Sequence, residues 1–368
     1  VSDPTRLVLV GAGLMGRAWI GAIDRSPDAE LVGLVDLDRG VAEEALAQRG
    51  APVPIGVDAV ELARTTGAAA IVNVTVPVAH LPVNLAALDA GFPVLCEKPV
   101  TPTVRDALIL TAAAEATGVL LMVSQSRRYY AALDVLRERA AALGGVGLLS
   151  TEFLKAPHFG GFREEMDHPL LVDMAIHAFD VARAVLGAVP TRVDCRSFNP
   201  AWSWFCGDAA ATALFEFEGG ARFQYFGSWV APGLETSWNG LWRAGTPGGT
   251  VEWDGESAIR VAQGDVDVEQ VDVVPARNES IDGSLAEFLD ALSTGATPSG
   301  EIHGNVFTLA MVEAAVRSTE TRQTVEIAAL IDAARDEALA TNVRADLRAV
   351  LESWDSPHAR LLHTVEQP

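Results

Sequence analysis

The stretch 94-VLCEKPVT-101 places Lys98 between a glutamate and a proline, directly after a short apolar run. Only two of the 368 residues are lysine, Lys98 and Lys155, against 25 arginines. A guanidinium effectively never releases its proton, whereas an ammonium can be tuned to give and take one beside a reacting hydroxyl. A second stretch, 173-DMAIHAFD-180, puts Asp173 and His177 at i and i+4 on one helix face, with Asp180 within a turn of the histidine. Two readings fit that spacing: a helix-surface ion pair, or a carboxylate that sets the tautomer and pKa of a working imidazole. The flanking run 171-LVDMAIHAFDVARAVLG-187 is otherwise apolar, which favours a partly buried pair, and buried charge needs a partner or a task. A third stretch, 11-GAGLMG-16, is G-x-G-x-x-G. Gly11 permits a tight turn, Gly13 lets a pyrophosphate approach the backbone, and Gly16 allows close helix–strand packing. Ala12, Leu14 and Met15 complete this cofactor-binding loop, whose phosphates would face a helix N-terminus.

These residues need elements to hold them. The run 6-RLVLV-10 reads as a buried parallel strand feeding the glycine loop, and 14–26 as the helix after it. A second strand, 31-LVGLVD-36, ends in Asp36, 20 residues after Gly16; that carboxylate suits the adenosine ribose hydroxyls and repels a 2′-phosphate, so NAD is expected over NADP. Arg39 lies close enough in sequence to soften the preference. Alternation continues through a helix at 38–50, with Asp38 near its start and Gly50 past its end, and strands near 52–55, 70–74, 93–97 and 119–123. Thr103 is placed to cap a helix at 104–118. The implied architecture is α/β: an N-terminal Rossmann doubly wound parallel sheet over residues 1–123. From 124 the texture changes. Residues 146–275 are strand-rich, 214-LFEFEGGARFQYF-226 is a hairpin signal, and one long helix spans about 169–187. A C-terminal α+β domain with an open, mainly antiparallel sheet is expected over 124–327, followed by a helical extension over 328–368.

Composition narrows the partners. A formal charge of −22 repels phosphate backbones and anionic lipid, so neither nucleic acid nor membrane is expected. Cys96, Cys195 and Cys206 have no metal-ligand spacing, and the start of the chain shows no basic, apolar leader, so a cytoplasmic protein without a metal is expected. Scattered histidines disfavour a metal hydrolase.

The motifs together resemble the glucose–fructose oxidoreductase/inositol dehydrogenase (Gfo/Idh/MocA) family. The resemblance rests on 11-GAGLMG-16, 75-TVP-77, 89-DAGFPVLCEKPV-100, 126-SRRY-129 and 173-DMAIHAFD-180, and a late stretch, 299–327, is similar to the family's C-terminal helix and strand. It implies an NAD(P)-dependent oxidoreductase acting on a secondary alcohol or ketone carbon of a sugar, cyclitol or related polyol, assembled as a homodimer or homotetramer. It also implies that Lys98, Asp173 and His177 are the catalytic set, and that Thr75, Pro77 and Glu97 contact the cofactor. Alcohol oxidation needs a base for the hydroxyl proton and a cation for the developing oxyanion. His177 suits the base, Asp173 its orientation and a substrate hydrogen bond, and Lys98 the reacting oxygen. Pro99 fixes the chain after Lys98, with a cis peptide as one option.

Other residues have two readings. Lys155, His158, Arg163 and His168, in a Gly/Pro-rich loop before the long helix, are candidate substrate contacts or solvated loop residues. Arg127 and Arg128 begin the second domain, one of them suited to pair with a carboxylate, and His80 is read first as helix-start packing. Six of eight tryptophans fall between 202 and 253 (Trp202, Trp204, Trp229, Trp238, Trp242 and Trp253), as a sugar platform or, more plainly for any one of them, as sheet or interface packing. Two other functions share the fold. Transient sugar oxidation without net cofactor turnover would make an NAD-dependent glycosidase or lyase. A non-catalytic NAD-binding regulator would lack the Lys/Asp/His set, which is present.

Overall fold

The computed structural model describes residues 3–47, 49, 51–264 and 268–365; the expected helix stop at Gly50 lies outside them. Packing divides the chain into two units. The first holds the described residues through Ser126, together with Ser280–Val306 and the described residues from Ile331 onward; the second holds the described residues of Arg127–Glu279 and Phe307–Leu330.

The first unit is built on six parallel strands: β1 (Thr5–Val10), β2 (Ala29–Val35), β3 (Ile55–Gly56), β4 (Ala70–Asn73), β5 (Val94–Glu97) and β6 (Leu121–Ser124). Their spatial order is β3-β2-β1-β4-β5-β6, so the strand order reverses between β1 and β4, where doubly wound sheets bind ligands. β4, β5 and β6 are buried throughout, as a sheet covered on both faces requires. The connecting helices are α1 (Leu14–Arg25), α2 (Arg39–Leu46), α3 (Ala59–Thr66), α4 (Pro77–Asp89) and α5 (Val104–Thr117). Asp38 and Thr103 cap α2 and α5 with their side chains, as their sequence positions suggested.

The domain boundaries read from sequence at 123 and 327 differ from this division, and the contacts explain why. Glu301 bridges Met122, extending the edge of the parallel sheet. His303 sits between Glu115 of α5 and Glu301, at 2.9 and 2.8 Å, and Trp354 and Arg360 also donate to Glu115. Burial opposes charge on both groups, but the hydrogen bonds outweigh it: His303 is raised to about 9 and Glu115 lowered to about 2. The expected helical extension is three helices, α10 (Ile327–Ala340), α11 (Ala345–Ser353) and α12 (Pro357–Val365), of which α11 packs on α5.

In the second unit, α6 (Ala131–Ala142) and α7 (Ile176–Leu186) accompany a nine-stranded sheet. Its strands are β7 (Leu148–Leu154), β8 (Pro190–Phe198), β9 (Ala210–Phe217), β10 (Arg222–Ser228), β11 (Leu241–Thr246), β12 (Gly249–Trp253), β13 (Ala258–Ala262), β14 (Glu269–Asp272) and β15 (Val325–Glu326), in the order β14-β13-β12-β11-β7-β10-β9-β8-β15. Among the described residues of this sheet, only β7 and β10 pair in parallel. The predicted hairpin is present, with Phe215 opposite Phe223 and a turn at Gly219 and Gly220 that needs positive φ. Alternation sends Leu149, Phe153, Phe215, Phe223, Tyr225 and Trp242 inward. The helix expected at 169–187 is not uniform: Leu170–Ala175 is a π-helical turn, and α7 begins only at Ile176. Between β14 and β15 the chain forms α8 (Ser280–Thr294), which belongs to the first unit, and α9 (Ile302–Thr321).

Candidate active site

In the first unit the glycine loop has the predicted form. Gly11 has φ +104°, and a Cβ there would lie 2.8 Å from the Val74 carbonyl oxygen; one on Gly16 would lie 2.2 Å from the Gly11 oxygen. Both positions therefore require glycine. Gly13 differs: nothing lies within 4 Å of where its Cβ would be, so the backbone there is open to a ligand. It is also the N-cap of α1 and makes no side-chain cap, which leaves the helix's first amides facing that open side. Asp36 accepts from Ala12 N at 2.8 Å through one oxygen and from Asp38 N at 2.9 Å through the other. Arg39 is engaged with Glu43 at 2.8 Å. Large apolar side chains stand exposed just past the C-terminal ends of successive strands: Leu14 after β1, Leu37 after β2, Val57 after β3, and Val76 and Val78 after β4. Exposure reaches 91% at Leu37, and such an apolar rim beside a phosphate cradle suits the flat faces of a dinucleotide. This rim was not read from the sequence, although each member follows a predicted strand.

Lys98 follows β5, and its peptide bond to Pro99 is cis. Glu97, expected at the cofactor, has an inward role: one oxygen accepts from the Trp19 indole at 2.9 Å and the other from Lys98 N at 3.0 Å. Burial raises its pKa, and these two donors oppose the rise. Glu97 thus holds the backbone of Lys98 in place. His80 is buried, with its ring nitrogens 2.8 Å from the Pro99 carbonyl and 3.0 Å from that of Thr75, which bears out the packing reading. Pro77 is the first residue of α4, a position where the missing N–H costs nothing. Thr75 turns its hydroxyl to Asn73 at 2.8 Å.

In the second unit, Asp173 lies in the π-helical turn and His177 in the first turn of α7, so the pair straddles a change of helix type. Such widened turns recur at functional sites. Arg163 Nε is 2.6 Å from an Asp173 carboxylate oxygen, and its guanidinium lies against the Phe159 and Phe162 rings. His177 lines a cavity walled by Phe153, Trp238 and Arg127. The remaining candidate contacts have partners of their own. Lys155 pairs with Glu235 at 3.0 Å and approaches the Trp238 ring, and His158 stacks on Trp204 at 3.9 Å. His168 lies in a separate polar groove with Ser197, Asp208 and Glu320. Arg128 is the structural member of its pair, forked onto buried Asp180 at 2.5 and 2.7 Å. Trp229, Trp242 and Trp253 are core residues, as packing predicts, whereas Trp202 and Trp238 keep exposed surface. Thr151 and Tyr225 were missed as cavity residues; the available signal was a polar side chain on the inward phase of an alternating strand.

Among the described residues no cluster of His, Cys, Asp or Glu could hold a metal ion, and no helix is long and apolar enough to cross a membrane.

Comparison with known proteins places both units. Residues 5–125 match the oxidoreductase family with an NAD-binding Rossmann fold, and residues 140–248 match the GFO/IDH/MocA C-terminal domain. Inositol 2-dehydrogenase 4 of Saccharopolyspora erythraea is 35% identical over 196 residues, spanning 52% of this chain and 56% of that one. The 1,5-anhydro-D-fructose reductase of Ensifer adhaerens is 27% identical over 336 residues, 87% of this chain and 97% of its own. The crystal structure of an Agrobacterium radiobacter oxidoreductase with NAD+, L-tartaric acid and magnesium superposes with a TM-score of 0.81 at 22% identity, covering 89% of this chain and all of that one.

Proposed function

Because this chain belongs to the Gfo/Idh/MocA family of oxidoreductases, with its NAD-binding Rossmann fold, we propose that it is an NAD-dependent dehydrogenase for a secondary alcohol or ketone carbon of a sugar, cyclitol or related polyol. The observation that carries this reading is His177 on the wall of an aromatic-lined cavity, with the Asp173 carboxylate one turn before it. The relatives named as an inositol dehydrogenase and an anhydro-sugar reductase support the substrate class.

The bound nicotinamide supplies the hydride acceptor, or donor in the reverse direction. The remaining tasks fall to the chain. Gly11, Ala12, Gly13, Leu14, Met15 and Gly16 would hold the pyrophosphate with backbone amides, and Asp36 would accept from the ribose hydroxyls. An anionic carboxylate at that place repels a 2′-phosphate, and Arg39, already paired with Glu43, does little to offset it. His177 takes the proton of the carbinol hydroxyl, Asp173 orients the imidazole and hydrogen-bonds the substrate, and Lys98 stabilises the oxygen as charge develops. The outer face of the nine-stranded sheet supports a homo-oligomer: Leu148, Leu214 and Leu241 are exposed beside the Arg243–Glu252–Arg260 ion pairs.

The test is absorbance at the reduced-nicotinamide band, with cyclitols, aldoses, anhydrosugars and glycosides offered alongside NAD+ or NADP+. Turnover with NAD+ exceeding that with NADP+ is expected. A folded, NAD-binding protein that turns over none of them overturns the reading.

A further inference from the structure

Asp173, read above as the partner of His177, is itself held. Arg163 Nε lies 2.6 Å from one of its carboxylate oxygens, and both side chains are half-buried. The guanidinium also lies over two rings, 5.4 Å from the Phe159 centroid and 4.9 Å from that of Phe162. Phe162 is 65% exposed, and this contact gives it a use: an aromatic face orients the guanidinium and shields the ion pair from water.

A partly exposed arginine–aspartate pair is by itself worth little. This one stands on a segment tied down on both sides of Arg163. Before it, the Trp204 indole donates to the Pro157 carbonyl at 3.1 Å, and its ring stacks on His158. After it, Cys206 N donates to the Glu164 carbonyl at 2.8 Å, and Asp208 N to that of Asp167 at 2.7 Å. Gly207, between those two donors, permits the approach: a Cβ there would fall 2.3 Å from the Met166 oxygen and 2.2 Å from the Asp167 oxygen. Residues 157–167 therefore form a fastened strap, and the strap sets an arginine against the π-helical turn that carries Asp173.

The charges give this contact a consequence. An imidazole beside a lone carboxylate is drawn toward its protonated form, which cannot accept the carbinol proton. A guanidinium bonded to the same carboxylate offsets that pull. Other titratable groups of this unit surround the pair. Arg127 and Tyr225 line the His177 cavity, Asp180 is forked by Arg128, and on the strap Glu164 accepts from Gly160 N and Glu165 from the Cys206 thiol. Arg163 is set apart from these by its direct bond to Asp173.

We propose that Arg163 is a positioning residue: presented by the strap, it fixes the Asp173 carboxylate for His177 and keeps the imidazole neutral, ready to take a proton. This replaces the substrate contact expected of Arg163 from its loop position. It deepens the proposed dehydrogenase and rests on that reading of Asp173 and His177.

The experiment titrates the imidazoles of the full chain by NMR, with His177 assigned among the seven histidines by the signal lost in His177→Gln. Arg163→Met should raise the His177 midpoint by about 0.5–1 pH unit, and Arg163→Lys should restore most of the wild-type value. Arg163→Gln, which keeps a donor without the charge, serves if the methionine variant does not fold. With the best substrate from the absorbance screen, kcat of Arg163→Met should fall about 10- to 100-fold while KM changes little. The acid limb of its pH profile should move up with the imidazole. A His177 midpoint unchanged or lowered by loss of the arginine overturns the proposal. So does a loss confined to KM, which would make Arg163 a substrate contact. If wild type reduces NAD+ with no compound, the dehydrogenase falls and the imidazole titration alone decides the role of Arg163.

Discussion

Replacing His303 with glutamine should flatten the pH dependence of stability in the first unit. In the folded protein both ring nitrogens meet carboxylates, Glu115 and Glu301, and only the imidazolium can donate to both. Burial disfavours that cation, yet the two carboxylates raise the pKa from 6.5 to about 9. With the side chain 7% exposed, solvent screening is slight. A rise of about 2.5 units corresponds to about 3 kcal/mol. A raised folded pKa means that this stabilisation is complete below pH 6.5, falls by up to about 1.4 kcal/mol per pH unit above it, and is gone once pH passes about 9. Glu115 gives the same interaction from the acid side. Its pKa, lowered to about 2, keeps the contribution intact above 4.5 and loses it as pH falls towards 2, so the two shifts are not summed. Urea unfolding of wild type and His303→Gln at pH 6, 7, 8 and 9 reads the effect directly. The wild-type advantage should shrink by about 3 kcal/mol across that range. An advantage that stays constant from pH 6 to 9 refutes the charged-histidine account.

Other substitutions probe the remaining contacts. Lys98→Arg keeps the charge but cannot release a proton, so turnover should fall by orders of magnitude while NAD affinity, read by fluorescence titration, changes little; wild-type turnover removes Lys98 from catalysis. Trp19→Phe strips one donor from buried Glu97 and should cost about 1–3 kcal/mol in denaturant unfolding. Arg128→Met takes the forked arginine from buried Asp180, which keeps only the Thr308 hydroxyl and the nearby Arg183 charge, a loss of about 3 kcal/mol, much of which Arg128→Met/Asp180→Leu should restore. If the double variant is as unstable as the single one, the contact is not an isolated charge pair.

Much of the first unit was legible because its signals are local. Each buried strand is a short apolar run, and the glycine loop, Asp38 and Thr103 mark helix starts by chemistry that acts within a few residues. The hairpin at 214–226 declared itself through strict alternation around two glycines. Strand β14 has one apolar residue, Val271, in Glu269–Asp272 and owes its place to its neighbour β13, so no periodicity marks it. The π-helical turn was hidden for a related reason: a single widened turn barely disturbs a helical pattern in so apolar a run. Long-range partners decided the rest. That residues 280–306 and 331–365 join the first unit depends on His303, Trp354 and Arg360 converging on Glu115, contacts separated by 188 to 245 positions. Lys98, Asp173 and His177 stood out by type and spacing; Lys155, His158 and His168 were chosen for loop position, and their contacts with Glu235, Trp204 and the Ser197–Asp208 cluster are long-range partners that spacing does not reveal.

Asp36 has a structural task beside the ribose contact proposed for it. Its two oxygens fasten Ala12 of the glycine loop and Asp38 at the start of α2, joining the turns that follow β1 and β2. On the proposed NAD reading, cofactor choice and the shape of the phosphate cradle are one trait, carried by a single carboxylate. A descendant that adopted NADP by losing this acid would also release the loop that holds the pyrophosphate. Its route would have to rebuild that fastening in the same step, which makes the preference hard to reverse by any single change at residue 36.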